Sequence, residues 1–184
     1  MSGPDDALAP VEPTLAFFAA CFARLSVEWC VAGAVAANAY RDPRATTDLD
    51  LVVQIAAPQY DAVAAALSAA GWEAFRRSPE SNYPDIVRMR HARYFPTDLM
   101  LVKTAYQAEA LRRARPVTAG AAAVRVLSPE DVVIHKLIAH RHRDRADIHE
   151  ILRAGPSLDR EYLQRWCEFW DVADRWRDAL ADAS

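Results

Sequence analysis

Cysteine is scarce in this 184-residue chain, and the three present, Cys21, Cys30 and Cys167, are odd in number and far apart. That pattern fits neither a disulfide framework nor a zinc site, so each is expected to be a small buried apolar residue. Long apolar runs are missing too: the longest stretches either carry charges or are too short to cross a bilayer. The opening MSGPDDALAP is acidic and lacks the basic start and apolar core of a secretory leader. A cytoplasmic location without a membrane partner is the expectation that follows. Charge of one sign is not in large excess either. A net charge of −3 argues against a general nucleic-acid coat while leaving room for a local basic patch. There is no internal repeat, and no low-complexity tract beyond local alanine richness.

Apolar residues make up 52% of the chain, enough for a packed core rather than disorder. One domain spanning 1–184 is expected, burying about two-thirds of its unfolded surface. Within it, residues 1–12 read as a fraying acidic leader, 13–127 as an α/β core and 128–184 as C-terminal helices. Residues 14–25 have helical spacing, with Leu15, Phe18, Phe22 and Leu25 on one stripe. A second helix is expected from Pro58 to a glycine stop at Gly71. Strand patterns occupy 72–75, 86–89, 97–102 and 124–127, with a proline-bearing loop over 76–85. Residues 106–115 suggest a helix whose last turn carries Arg112, Arg113 and Arg115. One long helix is expected over 158–180, with three tryptophans, Trp166, Trp170 and Trp176, on its apolar side.

The stretch from Val27 to Val53 organises the rest. Two apolar runs, 29–32 and 49–53, read as short buried strands. Gly33 opens a helix-forming segment over 34–40, which Arg41-Asp-Pro-Arg44 then breaks. Asp48 and Asp50 lie two apart at the start of the following strand, so their carboxylates project to one side. Like charges that close call for a cation between them, and oxygen ligands in this arrangement suit Mg²⁺. The backbone at Gly33 offers an anion the N-terminal end of a helix. A solvated Asp-x-Asp edge beside an ordinary turn is the plainer reading; the combination of features favours a nucleotide site.

This combination resembles the nucleotidyltransferase superfamily of DNA polymerase beta-like fold, whose members carry Gly-Ser or Gly-Gly, a helix and then Asp-x-Asp. The Arg44, Thr46, Asp48, Asp50 run is most similar to the small bacterial branch that includes AbiEii-type toxins. The chain departs from the pattern at Ala34, where the family's second position is usually serine or glycine, so a hydroxyl contact to phosphate is lost while the backbone N–H stays. The resemblance implies an α/β fold, with a small mixed β-sheet flanked by helices and a helical C-terminal portion. It also implies that Asp98, leading the apolar run 98–102, is the third metal carboxylate beside Asp48 and Asp50.

Ser128-Pro-Glu-Asp131 is a strong helix start. Beyond it, Lys136, His140, Arg143 and Asp147 share one face of a continuous helix. Alternatively Asp144 caps a new helix after a tight turn, with Asp147 in its first turn. The segment KLIAHRHRDRADIHEIL resembles the second block of the AbiEii-type branch. On that resemblance Lys136 neutralises nucleotide phosphates and Asp147 orients or activates the acceptor. An ordinary charged helix face is the plainer reading of the segment alone. A rival is a metal-dependent phosphohydrolase using His135, His140, His142 and His149 near Asp144 and Asp147; no adjacent His-Asp pair occurs, and the spacing fits no common zinc pattern.

The reaction the resemblance implies is transfer of a nucleoside monophosphate from an NTP to an acceptor hydroxyl, with two Mg²⁺ (or Mn²⁺) held by Asp48, Asp50 and Asp98. Gly33, Ala34, Arg44, Thr46 and Lys136 then bind the nucleotide, and Asp48, Asp50, Asp98, Lys136 and Asp147 form the catalytic set. Three acceptor classes stay open: a toxin-like enzyme acting on tRNA or a protein, with a cognate antitoxin; an antibiotic-type enzyme acting on a small molecule; and a non-catalytic nucleotide-binding or antitoxin-like module.

Overall fold

The structure, a computed structural model, describes residues 11–76, 85–119 and 122–183. Most of the expected acidic leader and, apart from its two ends, the expected loop over 76–85 lie outside those residues. In chain order the helices are α1 (Glu12–Leu25), α2 (Gly33–Ala37), α3 (Tyr60–Ala69), α4 (Ala105–Arg113), α5 (Pro129–Ala139), α6 (His142–Ala154), α7 (Arg160–Phe169) and α8 (Ala173–Asp182). The strands are β1 (Glu28–Ala32), β2 (Leu49–Gln54), β3 (Glu73–Arg76), β4 (Ile86–Arg90), β5 (Thr97–Leu101), β6 (Arg115–Ala119) and β7 (Ala122–Val126).

The seven strands form one sheet in the order β3-β4-β5-β2-β1-β7-β6. Pairing is antiparallel except for β2 with β5 and β1 with β7, so the sheet is mixed, as expected. Its centre is apolar for a reason visible in the residues: Cys30, Val31, Leu49, Leu51 and Val53 are each fully buried. On α1, Leu15, Phe18 and Phe22 bury the stripe expected of them. Core side chains from Val11 to Trp176 join in one cluster, so the C-terminal helices share their packing with the sheet. All three cysteines are buried and unpaired, and burial pushes the Cys30 thiol up to about 12.

Three expectations are corrected, and one alternative left open is decided. The helix after Gly33 stops at Ala37 rather than continuing to residue 40. Asn38 ends it by accepting from the Arg44 N–H (3.2 Å) and donating to the Arg44 carbonyl (2.9 Å), which folds the following loop back on itself. Arg115 is not in the last turn of a helix: α4 ends at Arg113 and Arg115 opens β6, a strand the sequence pattern did not mark because a proline sits in it. That strand lies at the edge of the sheet, where a missing N–H is tolerated. Third, the helix over 158–180 is two helices, broken where Asp171 takes a left-handed φ of 55°. Finally, 136–147 is not one helix. His140 caps α5 with φ 46°, and α6 starts at His142 with Asp144 accepting from the Arg141 backbone N–H (3.0 Å). The tight-turn alternative is therefore the observed one, with Asp144 in the first turn and Asp147 one turn further on.

Candidate active site

A polar cleft of about 720 Å³ opens between the sheet and the α5–α6 corner. Ala34, Arg44, Thr46, Asp48, Asp50, Asp98 and Lys136 all line it, so seven of the nine expected site residues meet in one place. The two others stand directly behind this lining. Gly33 supports Asp50, and Asp147 supports Lys136 and Arg44.

The sheet supplies the acidic wall. In the parallel β2–β5 pair Asp50 stands opposite Asp98, and in the antiparallel β4–β5 pair Asp98 stands opposite Arg88. Directly paired residues project to the same face, so Asp50, Asp98 and Arg88 form one transverse row. Asp48 lies just before β2, where the Thr46 hydroxyl donates to its Oδ1 (3.0 Å). Burial, reinforced by the charges of Asp48 and Asp98, pushes the Asp50 carboxyl up to about 6, with Arg141 and Lys136 offsetting part of the rise. Such crowding of carboxylates is the environment a bound cation would relieve.

Gly33 has a physical reason to be glycine that the sequence did not reveal. Its φ is +60°, and a Cβ built on it would fall 1.9 Å from Asp50 Oδ2. The Asp50 carboxylate therefore rests against the Gly33 backbone, a position only glycine leaves free.

The helices supply the basic wall. Lys136 Nζ lies 2.5 Å from Asp147 Oδ2 and 3.4 Å from Asp144 Oδ1. Arg44 donates two parallel bonds to Asp147, at 2.9 and 2.8 Å, and Arg41 reaches the same carboxylate at 3.2 Å. Burial works against ionisation of Asp147, yet the bonds from Arg44 and Lys136 and the Lys136 and Arg41 charges hold its carboxyl down at about 2. Asp147 is thus committed to three cations. This geometry suits holding Arg44 and Lys136 in place better than receiving an acceptor proton.

The sequence gives no sign of Arg41 and Arg141 as site residues; it offers Arg88, with Arg90 and Arg93, as a phosphate-facing patch, with a solvated sheet face the cheaper reading. Arg88 forks onto both oxygens of Asp98, at 2.8 and 2.7 Å, where a solvated sheet face was the simpler expectation. Arg141 and Arg143 line the cleft rim because the chain turns at His140 and Arg141. The cross-strand register that joins Arg88 to Asp98 has no local signal. The acids at the start of α5 also do more than favour a helix dipole. Glu130 and Asp131 are buried, Asp131 accepts from Tyr162 Oη (2.7 Å), and Arg113 lies 3.4 Å from Glu130.

Among the described residues no three His, Cys, Asp or Glu side chains converge into a ready-made metal cage. Of the histidines, His140 and His142 are exposed and His149 is half-buried, while His135 packs on Tyr106 and its imidazole is pushed down to about 4 by burial and the adjacent Lys136. Of the carboxylates, Asp98 has both oxygens engaged by Arg88. The chemistry still fits a divalent cation, since three carboxylates face one cleft and burial, with the charges of Asp48 and Asp98 adding to it, disfavours ionised Asp50 without a cation.

Comparison with known proteins agrees with this geometry. The family described as uncharacterised nucleotidyltransferase matches residues 29–181, which spans both walls and the C-terminal helices. No curated protein matches. Among solved structures, ANT(2'')-Ia in complex with adenylyl-2''-tobramycin is 15% identical, with a TM-score of 0.61 over 90% of this chain and 98% of that one. The lincomycin-bound lincosamide antibiotic adenylyltransferase LnuA is 14% identical, with a TM-score of 0.53 over 74% of this chain and 93% of that one. An antigenic nucleotidyltransferase-like protein from Paracoccidioides brasiliensis is 15% identical, with a TM-score of 0.54 over 77% and 73%. At such identities these three share the fold. Together with Asp48, Asp50 and Asp98 on one cleft, the match over 29–181 identifies the chain: it belongs to the uncharacterised nucleotidyltransferase family.

Proposed function

We propose that this protein transfers a nucleoside monophosphate from an NTP to a hydroxyl of a small molecule. The observation that carries the reading is the two-walled cleft, with Asp48, Asp50 and Asp98 facing Arg44 and Lys136. In the reaction the acceptor oxygen forms a bond to the α-phosphorus as the bond to pyrophosphate breaks, and the hydroxyl proton passes to solvent water in the open cleft. Divalent cations held by Asp48, Asp50 and Asp98 would lower the acceptor's pKa and offset charge on the leaving pyrophosphate. Arg44 and Lys136 hold the phosphates from the opposite side, each kept in place by Asp147. Thr46 fixes the Asp48 carboxylate through its hydroxyl, and the Gly33–Ala34 backbone lies beside the phosphates, without the side-chain hydroxyl that the superfamily usually adds there. Asp147 here is a positioning residue.

The small-molecule acceptor is favoured because the fold is shared with enzymes named for antibiotic adenylylation. A second reading, transfer to tRNA or protein in the manner of AbiEii-type toxins, has one observation in its favour. Arg141, its side chain 75% exposed, and Arg143 line the rim of the cleft, where a nucleic-acid backbone could lie. An antitoxin partner has no observation behind it. The test is to incubate the protein with each labelled NTP and Mg²⁺, together with either a panel of hydroxyl-bearing antibiotics or total RNA. Label confined to a small acceptor supports the proposal. Label on RNA replaces it with the second reading, and nucleotide binding without turnover replaces both with a non-catalytic module.

A further inference from the structure

We propose that Arg88 is an internal counter-ion that competes with the divalent cation for Asp98. This rests on the reading of Asp98 as a metal carboxylate. Three observations point to it. The register puts Arg88, Asp98 and Asp50 in one row across β4, β5 and β2, so Asp98 stands between a guanidinium and a second carboxylate. Arg88 takes both Asp98 oxygens, at 2.8 and 2.7 Å, leaving a cation on the Asp50 side only the remaining lone pairs. The Asp98 side chain is 12% exposed, whereas that of Arg88 is 40% exposed, so the carboxylate is held by the sheet and the guanidinium has room to leave toward solvent.

The two neighbouring carboxylates are thus handled differently. Asp98 pairs with Arg88, whereas Asp50 rests against the Gly33 backbone. A cation arriving between them must displace the guanidinium. Once released, Arg88 remains on the cleft wall beside Ile86 and Met100, free to meet an anionic oxygen of the nucleotide or acceptor. The arrangement keeps the Asp98 side of the site closed to loosely bound cations and opens it when a nucleotide–metal complex brings both charges at once.

The experiment is a Mn²⁺ titration of the nucleotide-free protein, read by the electron paramagnetic resonance of free Mn²⁺. The variants are wild type, Arg88→Gln, Arg88→Lys, Asp98→Asn and Asp50→Asn. Removal of a partly exposed bidentate competitor should tighten Mn²⁺ binding in Arg88→Gln by about fivefold. Arg88→Lys, which keeps the charge but loses the fork, should fall between Gln and wild type. Asp98→Asn should abolish the gain when combined with Arg88→Gln. If Arg88→Gln binds Mn²⁺ no tighter than wild type while Asp50→Asn weakens binding, Arg88 is a structural pair only and the inference is overturned with the metal reading intact. If no variant binds Mn²⁺, or Asp50→Asn binds as wild type does, the metal reading fails and the inference goes with it. Thermal unfolding of Arg88→Gln separates a lost fold from a lost competitor.

Discussion

On the sheet side of the cleft, Asp48, Asp50 and Asp98 crowd together with one cation, Arg88, paired among them; on the helix side, Asp144 and Asp147 are matched to Lys136, Arg44, Arg41 and Arg141. The same residue types therefore sit in opposite electrostatic states within one cavity. Asp50 is pushed up to about 6 and Asp147 is held down at about 2. Charge left uncompensated on a rigid strand is useful where a cation has to bind. Charge satisfied within a helix pair is useful where side chains have to be held still. On the proposed function, the difference separates residues that act on ligands from those that act on other residues.

The sharpest way to break the comparison is to remove the uncompensated charge. Asp48→Asn with Asp50→Asn should cut pyrophosphate release on the order of 10³-fold or more while leaving the melting temperature unchanged or raised, because like charges are relieved. Loss of activity accompanied by unfolding would mean the acids are structural. Next, Gly33→Ala forces a methyl into the Asp50 carboxylate, at 1.9 Å from Oδ2, so Asp50 must swing away. Activity should fall roughly 10²-fold, with a stability cost of about 1 kcal/mol from the left-handed backbone. A fully active alanine variant would show that Asp50 need not rest there.

On the other wall, Asp147→Ala leaves Arg44, Arg41 and Lys136 without their shared carboxylate. It should destabilise the fold by about 3–5 kcal/mol in denaturant titration. Activity lost without that destabilisation would return Asp147 to the acceptor role first expected for it. The pH dependence of stability should then separate the walls in sign. The folded pKa of Asp50, about 6, lies above its ordinary 3.8, so its ionisation opposes folding and stability of the metal-free protein falls as pH rises from about 4 to about 6. The folded pKa of Asp147, about 2, lies below 3.8, so its contribution is present above that value and lost as pH falls toward 2. Asp50→Asn should abolish the first slope and leave the second, as melting curves across pH would show. The smallest effect is expected from Ala34→Ser, which restores the hydroxyl usual in the superfamily and should lower the KM for NTP by about two- to tenfold. An unchanged KM would mean that this hydroxyl makes no contact here.

The two walls also differ in how much of them could be read in advance. Asp48 and Asp50 were legible because strand alternation puts residues two apart on one side, and the break at Pro43 marked where the strand could begin. Asp98 needed the family resemblance, since a single aspartate before an apolar run carries no periodic signal. The helix wall was half legible. Lys136 and Asp147 were assigned to one site, but their contact depends on a turn at His140, where a residue other than glycine takes φ 46°. Propensity gives no warning of that. The break at Asp171, with φ 55°, went unseen for the same reason. Nothing local says that β4 lies beside β5 in the register that joins Arg88 to Asp98.

The sequence alone determined the helix and strand patterns of most elements and the pair of carboxylates at the head of one strand, because each depends on periodicity within a few residues. Only the tertiary structure decided which charges remain uncompensated, because that depends on which distant strand or helix delivers a counter-ion. Asp50 and Asp147 are chemically identical side chains, and their different surroundings in space push one carboxyl up and hold the other down.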